Sequence, residues 1–225
     1  MSAFIGGSWQ RHGGWSGIAF VLVWAVGFVV RGETQMYDTP TADLRRYWQE
    51  SGDRYIAVQY VVLLAAFLLF LPYAVALTEH LGRAEGEPRL WSKVSLCGAV
   101  LLLAFTLGAG AAWGTLAFAI DDLGDQELRL LMRLDVGAFQ TEGFGLGLFV
   151  FAASLVAVGT AALRRWVGIL GLVSGVGLLL WPMGLLPRNQ ENVFNVVGFL
   201  AFLLTMVWLV ITSIALLRSR QPDPA

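Results

Sequence analysis

The chain has one cysteine, Cys97, one lysine, Lys93, and two histidines, His12 and His80. A single cysteine excludes an internal disulfide and any cysteine-built metal cluster, and no Cys/His spacing fits the usual zinc patterns. Charge is scarce too: 14% of the 225 residues are Asp, Glu, Lys or Arg, against about 25% in soluble domains. Fifteen basic and sixteen acidic residues leave a net charge of −1, so no positive field exists to neutralise a phosphate backbone, and nucleic acid is excluded as a partner. What the chain does have is apolar, with 57% hydrophobic residues and a mean hydropathy of +0.67. The partner this composition implies is the lipid bilayer.

A hydrocarbon core about 30 Å thick takes about 20 apolar residues of helix, because each backbone amide must be paired within its own segment. Six stretches qualify: 15–30, 56–77, 94–120, 136–163, 166–187 and 193–217. They leave too little chain for a separate soluble domain, and their unbroken runs lack the alternation of membrane-barrel strands. The expected fold is all-α, a six-helix transmembrane bundle forming one domain over 1–225. Arg11 ahead of the first run resembles a signal sequence, but no small-residue cleavage site follows Val30, so the segment reads as an uncleaved anchor.

Basic residues in the loops set the orientation. With a cytoplasmic N-terminus the inner side holds Arg11, Arg83, Arg89, Lys93, Arg164, Arg165, Arg218 and Arg220, against Arg31, Arg45, Arg46, Arg54, Arg129, Arg133 and Arg188 outside. The count barely differs, but Arg164-Arg165 and the tail ending at Arg220 press directly on helix ends. Both termini are expected in the cytoplasm, in the plasma membrane of a bacterium, with Trp15, Trp91 and Trp166 at the inner headgroup level.

Between the first two spans, Thr39-Pro40 reads as a helix start and Gly52 as its stop. Leu44, Tyr47 and Trp48 share one side, which predicts a short amphipathic helix in the outer headgroup region. The sharper alternative makes Asp43, Arg46, Tyr47 and Trp48 a lid over an outward-facing pocket.

Ionisable groups inside spans are costly and mark function by default. Glu142 is the clear case, with Gln140 beside it and Gly143, Gly145 and Gly147 following. A fourth helix starting near Val136 puts it about 10 Å along the axis, whereas a start near Phe144 leaves it in water. Glu142, Gln140 and Gln59 are the candidate ligand or proton site, and the question is whether Glu142 and Gln59 converge on one cavity. Residues 122–135 read as a solvated acidic connector, where Asp121, Asp122 and Asp125 make a weak case for calcium. No metal site and no cofactor are expected: His12 and His80 fall at the interface, not opposite one another as a haem requires, and Cys97 reads as a packing residue. No G-x-S-x-G, H-E-x-x-H or Walker spacing occurs, and no lysine lies within a span.

Gly110–Gly114, Gly143–Gly147 and Gly171–Gly175 are small-xxx-small motifs that let helices approach, and self-assembly is their second use. Pro72 and Pro182 are each seventeenth in their spans, and Leu103-Ala-Phe105 recurs as Leu200-Ala-Phe202, a pattern an inverted repeat would produce.

The stretches Thr39-Pro-Thr-Ala-Asp-Leu-Arg-Arg-Tyr-Trp48, Val75-Ala-Leu-Thr-Glu-His-Leu-Gly-Arg-Ala-Glu-Gly86 and Leu163-Arg-Arg-Trp-Val-Gly-Ile-Leu-Gly171 resemble a family of bacterial multi-span proteins, common in actinobacteria, whose function is unassigned. The resemblance implies about six helices and a membrane location, and supplies neither an activity nor functional residues. From the residues themselves, the leading expectation is a non-catalytic bundle, an accessory subunit of other membrane proteins or a binder of lipid or apolar ligand. The second is a proton-coupled or passive transporter using Glu142. The third, a membrane enzyme, would need loop groups such as Asp43, Arg46 or Asp121.

Overall fold

A computed structural model describes residues 9–32, 39–187 and 192–219; Arg188 and Arg220 lie outside them. Six helices are long and apolar enough to cross a membrane: α1 (Trp9–Arg31), α2 (Thr41–Glu85), α3 (Leu90–Ala119), α4 (Asp125–Gly159), α5 (Arg165–Leu185) and α6 (Val193–Arg218). The described residues contain no strand, and the chain is a multi-pass membrane protein. Consecutive helices are neighbours around the bundle and α6 returns to α1, so the ring closes. Trp9 and Arg218 share one end, with Arg83, Arg89, Lys93, Arg164 and Arg165 on the helix ends and connections beside them. We call it the basic end.

Local chemistry sets the helix starts. The Asn192 side chain accepts from the N–H groups of Phe194 and Asn195 at 3.0 and 3.1 Å, capping α6. The Glu127 carboxylate accepts from the Gly124 N–H at the head of α4, where Asp125 and Glu127 also oppose the helix dipole. Glu85, at the end of α2, accepts from the N–H groups of Trp91 and Ser92 and so caps α3.

Two helices run further than hydropathy indicates. α2 is continuous through Gly52 for 45 residues, about 68 Å at the helical rise, and α4 begins at Asp125 rather than Val136. The expected amphipathic helix is therefore the first part of α2, and the expected acidic connector is mostly helix. The reason is a second hydrophobic core. Leu44, Trp48 and Tyr55 of α2 pack with Ala109, Trp113 and Leu116 of α3 and Leu128 and Met132 of α4. Leu44, Trp48, Gly52, Tyr55 and Gln59 recur every three or four residues along the buried side of α2, so Gly52 belongs to a stripe and ends nothing. Arg45 ties this extension to the α3–α4 turn, donating to the carbonyls of Ile120 and Leu123 at 2.7 Å each, and Gln49 donates to Asp121 at 2.8 Å.

The main core holds Phe70, Tyr73, Phe149, Leu178 and Trp208 between the spans. Large apolar side chains such as Leu22, Leu64, Val173 and Val207 point outward, as a lipid-facing surface requires. Glycine allows the closest approach between α3 and α4: a Cβ on Gly98 would lie 2.9 Å from the Gly145 carbonyl oxygen and from Cα of Phe149. Gly143 and Gly147 face α5 in the same way, whereas Gly110 and Gly114 meet only side chains, at 3.6 Å or more. Both noted prolines mark departures from α-geometry. A π-turn, Ala66–Phe70, precedes Pro72, and Pro182 lies in a 3-10 turn, Trp181–Leu185. Proline removes one amide donor and crowds the preceding turn, and a change of pitch accommodates both. Helix continues for 15 residues beyond the first turn and ends with the second, so equal spacing in sequence falls on unlike structures.

Candidate functional site

A cavity of about 160 Å³ opens where the two cores meet, walled by α1, α2, α3, α4 and α6. Four polar side chains reach it: Arg31 at the end of α1, Gln59 on α2, Thr106 on α3 and Glu142 on α4. The remaining wall is largely aromatic, including Trp24, Phe28, Trp113, Phe139, Phe199 and Phe202. Gly27 allows α1 to close on α2 beside the cavity, since a Cβ there would lie 2.9 Å from Val62.

Glu142 is seventeen residues into α4, deeper than either sequence alternative placed it. Its Oε1 is buried and has no hydrogen-bond partner among the described residues. The Thr106 hydroxyl lies against the carboxyl and also 2.9 Å from the Leu102 carbonyl, so its one proton serves one of the two acceptors at a time. Gln59 is buried, one turn from Tyr55 and within hydrogen-bond reach of its hydroxyl.

Seven residues before Glu142, on the same face of α4, Asp135 accepts a hydrogen bond from the Trp113 indole N–H. Asp135 was absent from the sequence candidates because the connector reading put it in water, yet it is buried. Arg31, read from sequence as a loop charge, is the cation whose field reaches Asp135. Its guanidinium carbon stands 5.5 Å from the Phe28 ring centroid and 5.7 Å from that of Tyr55. Arg31 lines the cavity, Asp135 stands behind its wall on the Trp113 indole, and Glu142 lies about 10 Å further along the helix.

The other candidates lie elsewhere. Gln140, two residues from Glu142, points to a different side of α4 and donates to Asn195 of α6 at 2.8 Å. None of Asp43, Arg46, Tyr47 and Trp48 lines the cavity. Asp43 and Arg46 pair with one another at 2.6 Å, Trp48 donates to the Met132 sulfur at 3.3 Å, and Tyr47 packs edge-on against Trp48. They belong to a packed extension held by Arg45, Gln49 and Arg129, the last donating to Thr41 at 2.9 Å. Asp121 and Asp125 are engaged by Gln49 and Arg45, and His80 lies beside the Ala162 backbone at the basic end.

No family model, curated protein or solved structure matches the chain. The site itself is what carries a function.

Proposed function

We propose that the chain is a small membrane carrier whose central step is reversible binding of a proton or a small cation at Glu142. The observation that carries this reading is the convergence of Gln59 and Glu142 on one cavity, with a carboxyl oxygen that has no hydrogen-bond partner among the described residues. A buried polar atom left unpaired costs about 1–3 kcal/mol, more if charged, so such an atom facing a cavity is a place for an arriving group. Arg31 lines the same cavity, and Asp135, hydrogen-bonded to the cavity-lining Trp113, shares a face of α4 with Glu142. The cavity is about the volume that encloses a benzene-sized molecule, and its ring faces favour weakly hydrated cations over strongly hydrated ones. We assign the bilayer to the bacterial cytoplasmic membrane and both termini to the cytoplasm, because Arg164, Arg165 and Arg218 press on helix ends at the basic end.

The test is dissipation of an imposed pH gradient by purified chain in liposomes, followed by an enclosed pH-sensitive dye. Wild-type protein should collapse the gradient and Glu142→Gln should slow it at least tenfold; equal rates would refute the carrier reading. The reading of an accessory bundle that holds an apolar ligand is favoured by the aromatic wall. It predicts instead that a benzene-sized apolar molecule is retained equally by wild type and Glu142→Gln.

A further inference from the structure

At the basic end, far from Glu142, the last turn of α4, the 160–164 connection, the start of α5 and the last turns of α6 surround an open groove of about 910 Å³. Its walls are aliphatic, from Val158, Val167, Ile211 and Ile214, and its rim carries Arg164, Arg165 and Arg218. No carboxylate lines it, and none of the three arginines has an ion-pair partner among the described residues. The carboxylates described at this end are already engaged. Glu79 pairs with Arg83 and Arg89, Glu87 with Arg89, and Glu85 caps α3. The adjoining helix ends also look after their own carbonyls: the Thr160 hydroxyl donates to Val156 at 2.8 Å and the Ser219 N–H to Ala215 at 3.0 Å. Among the described residues the three guanidinium groups have donors and no acceptor.

We propose that this groove binds an anionic phospholipid of the surrounding bilayer, its phosphate held by Arg164, Arg165 and Arg218 and one acyl chain laid over Val158, Ile211 and Ile214. Planar guanidinium groups suit a phosphate because they bond two of its oxygens at once. Basic pockets between spanning helices at a headgroup surface are the usual form of such sites. A soluble anion would satisfy the rim and leave the aliphatic walls bare, whereas a lipid covers both. Trp166, half exposed beside the rim, marks the level at which headgroup and hydrocarbon meet. A zwitterionic lipid brings its own ammonium to three arginines, so the site discriminates by charge.

Native mass spectrometry of the full chain, released from detergent with phosphatidylglycerol or phosphatidylcholine of the same acyl composition, tests this. Wild type should retain phosphatidylglycerol preferentially. Each arginine near an anionic headgroup is worth about fivefold in affinity, so R164Q/R165Q/R218Q should lose the preference by on the order of a hundredfold. R133Q, at the opposite end, should keep it. Equal retention of the two lipids by wild type, or a preference that survives the triple substitution, overturns the proposal. So does competition by glycerol 3-phosphate as tight as that of the lipid. If the triple variant loses its helical circular dichroism, R218Q alone and salt decide. The preference should drop about fivefold in R218Q and weaken as salt rises, and a preference indifferent to both overturns the site.

Discussion

Asp135 and Glu142 are both buried carboxyl groups on one side of α4, and they differ in what meets them. Asp135 has the Trp113 N–H, while Glu142 has an oxygen with no partner among the described residues. Removing the donor of the one and the charge of the other should therefore have different consequences for stability. Trp113→Phe keeps an aromatic ring but strands the Asp135 oxygen, a loss of about 1–3 kcal/mol visible as a lower melting temperature in detergent. Glu142→Gln removes a carboxylate whose Oε1 has no partner among the described residues, so the variant should melt no lower than wild type even as proton movement fails. A drop in melting temperature as large as that of Trp113→Phe would assign Glu142 a packing role. Glu142 was legible in the sequence because an acid inside an apolar run is conspicuous. Asp135 and Arg31 were not, since each adjoins a charged segment and hydropathy assigns such residues to water. The missed signal is periodic: Leu128, Met132, Asp135, Phe139 and Glu142 fall at helical spacing, and the acid at 135 continues a buried stripe.

Among the helices, hydropathy found where oil ends, which is a different place from where helix ends. The six spans were readable because a bilayer imposes length and apolarity on each segment independently. The continuation of α2 and α4 was not, since it depends on Leu44, Trp48, Trp113 and Leu128 finding one another across three helices. Gly52→Pro tests the continuity. It should cost about 3 kcal/mol, as for proline within any helix, and should open residues 41–52 to limited proteolysis. A separate surface helix ending at Gly52 would tolerate it. Close packing gives a paired expectation for α3. Gly98→Ala drives a methyl into the backbone of α4 and should destabilise by about 1–3 kcal/mol. Gly108 has open space around its missing Cβ, so Gly108→Ala should be neutral or stabilising by up to about 1 kcal/mol. Thermal unfolding of the two variants in one detergent settles the sign of each.

For the whole molecule, the orientation proposed above has a direct check. In a cysteine-free background, made by Cys97→Ala, Asp122→Cys lies at the extended end and Glu87→Cys on an exposed loop of the basic end. A membrane-impermeant maleimide should label the first in intact cells and the second only after permeabilisation; the reverse pattern would invert the bundle. Whichever way it stands, α2 is a single shaft from one aqueous face to the other, with its pinned tip at Arg45 and its far end at Glu85, the residue that starts α3. Anything that grips the tip from outside, a binding protein or an antibody fragment, holds a lever whose other arm ends among the arginines on the opposite side of the bilayer.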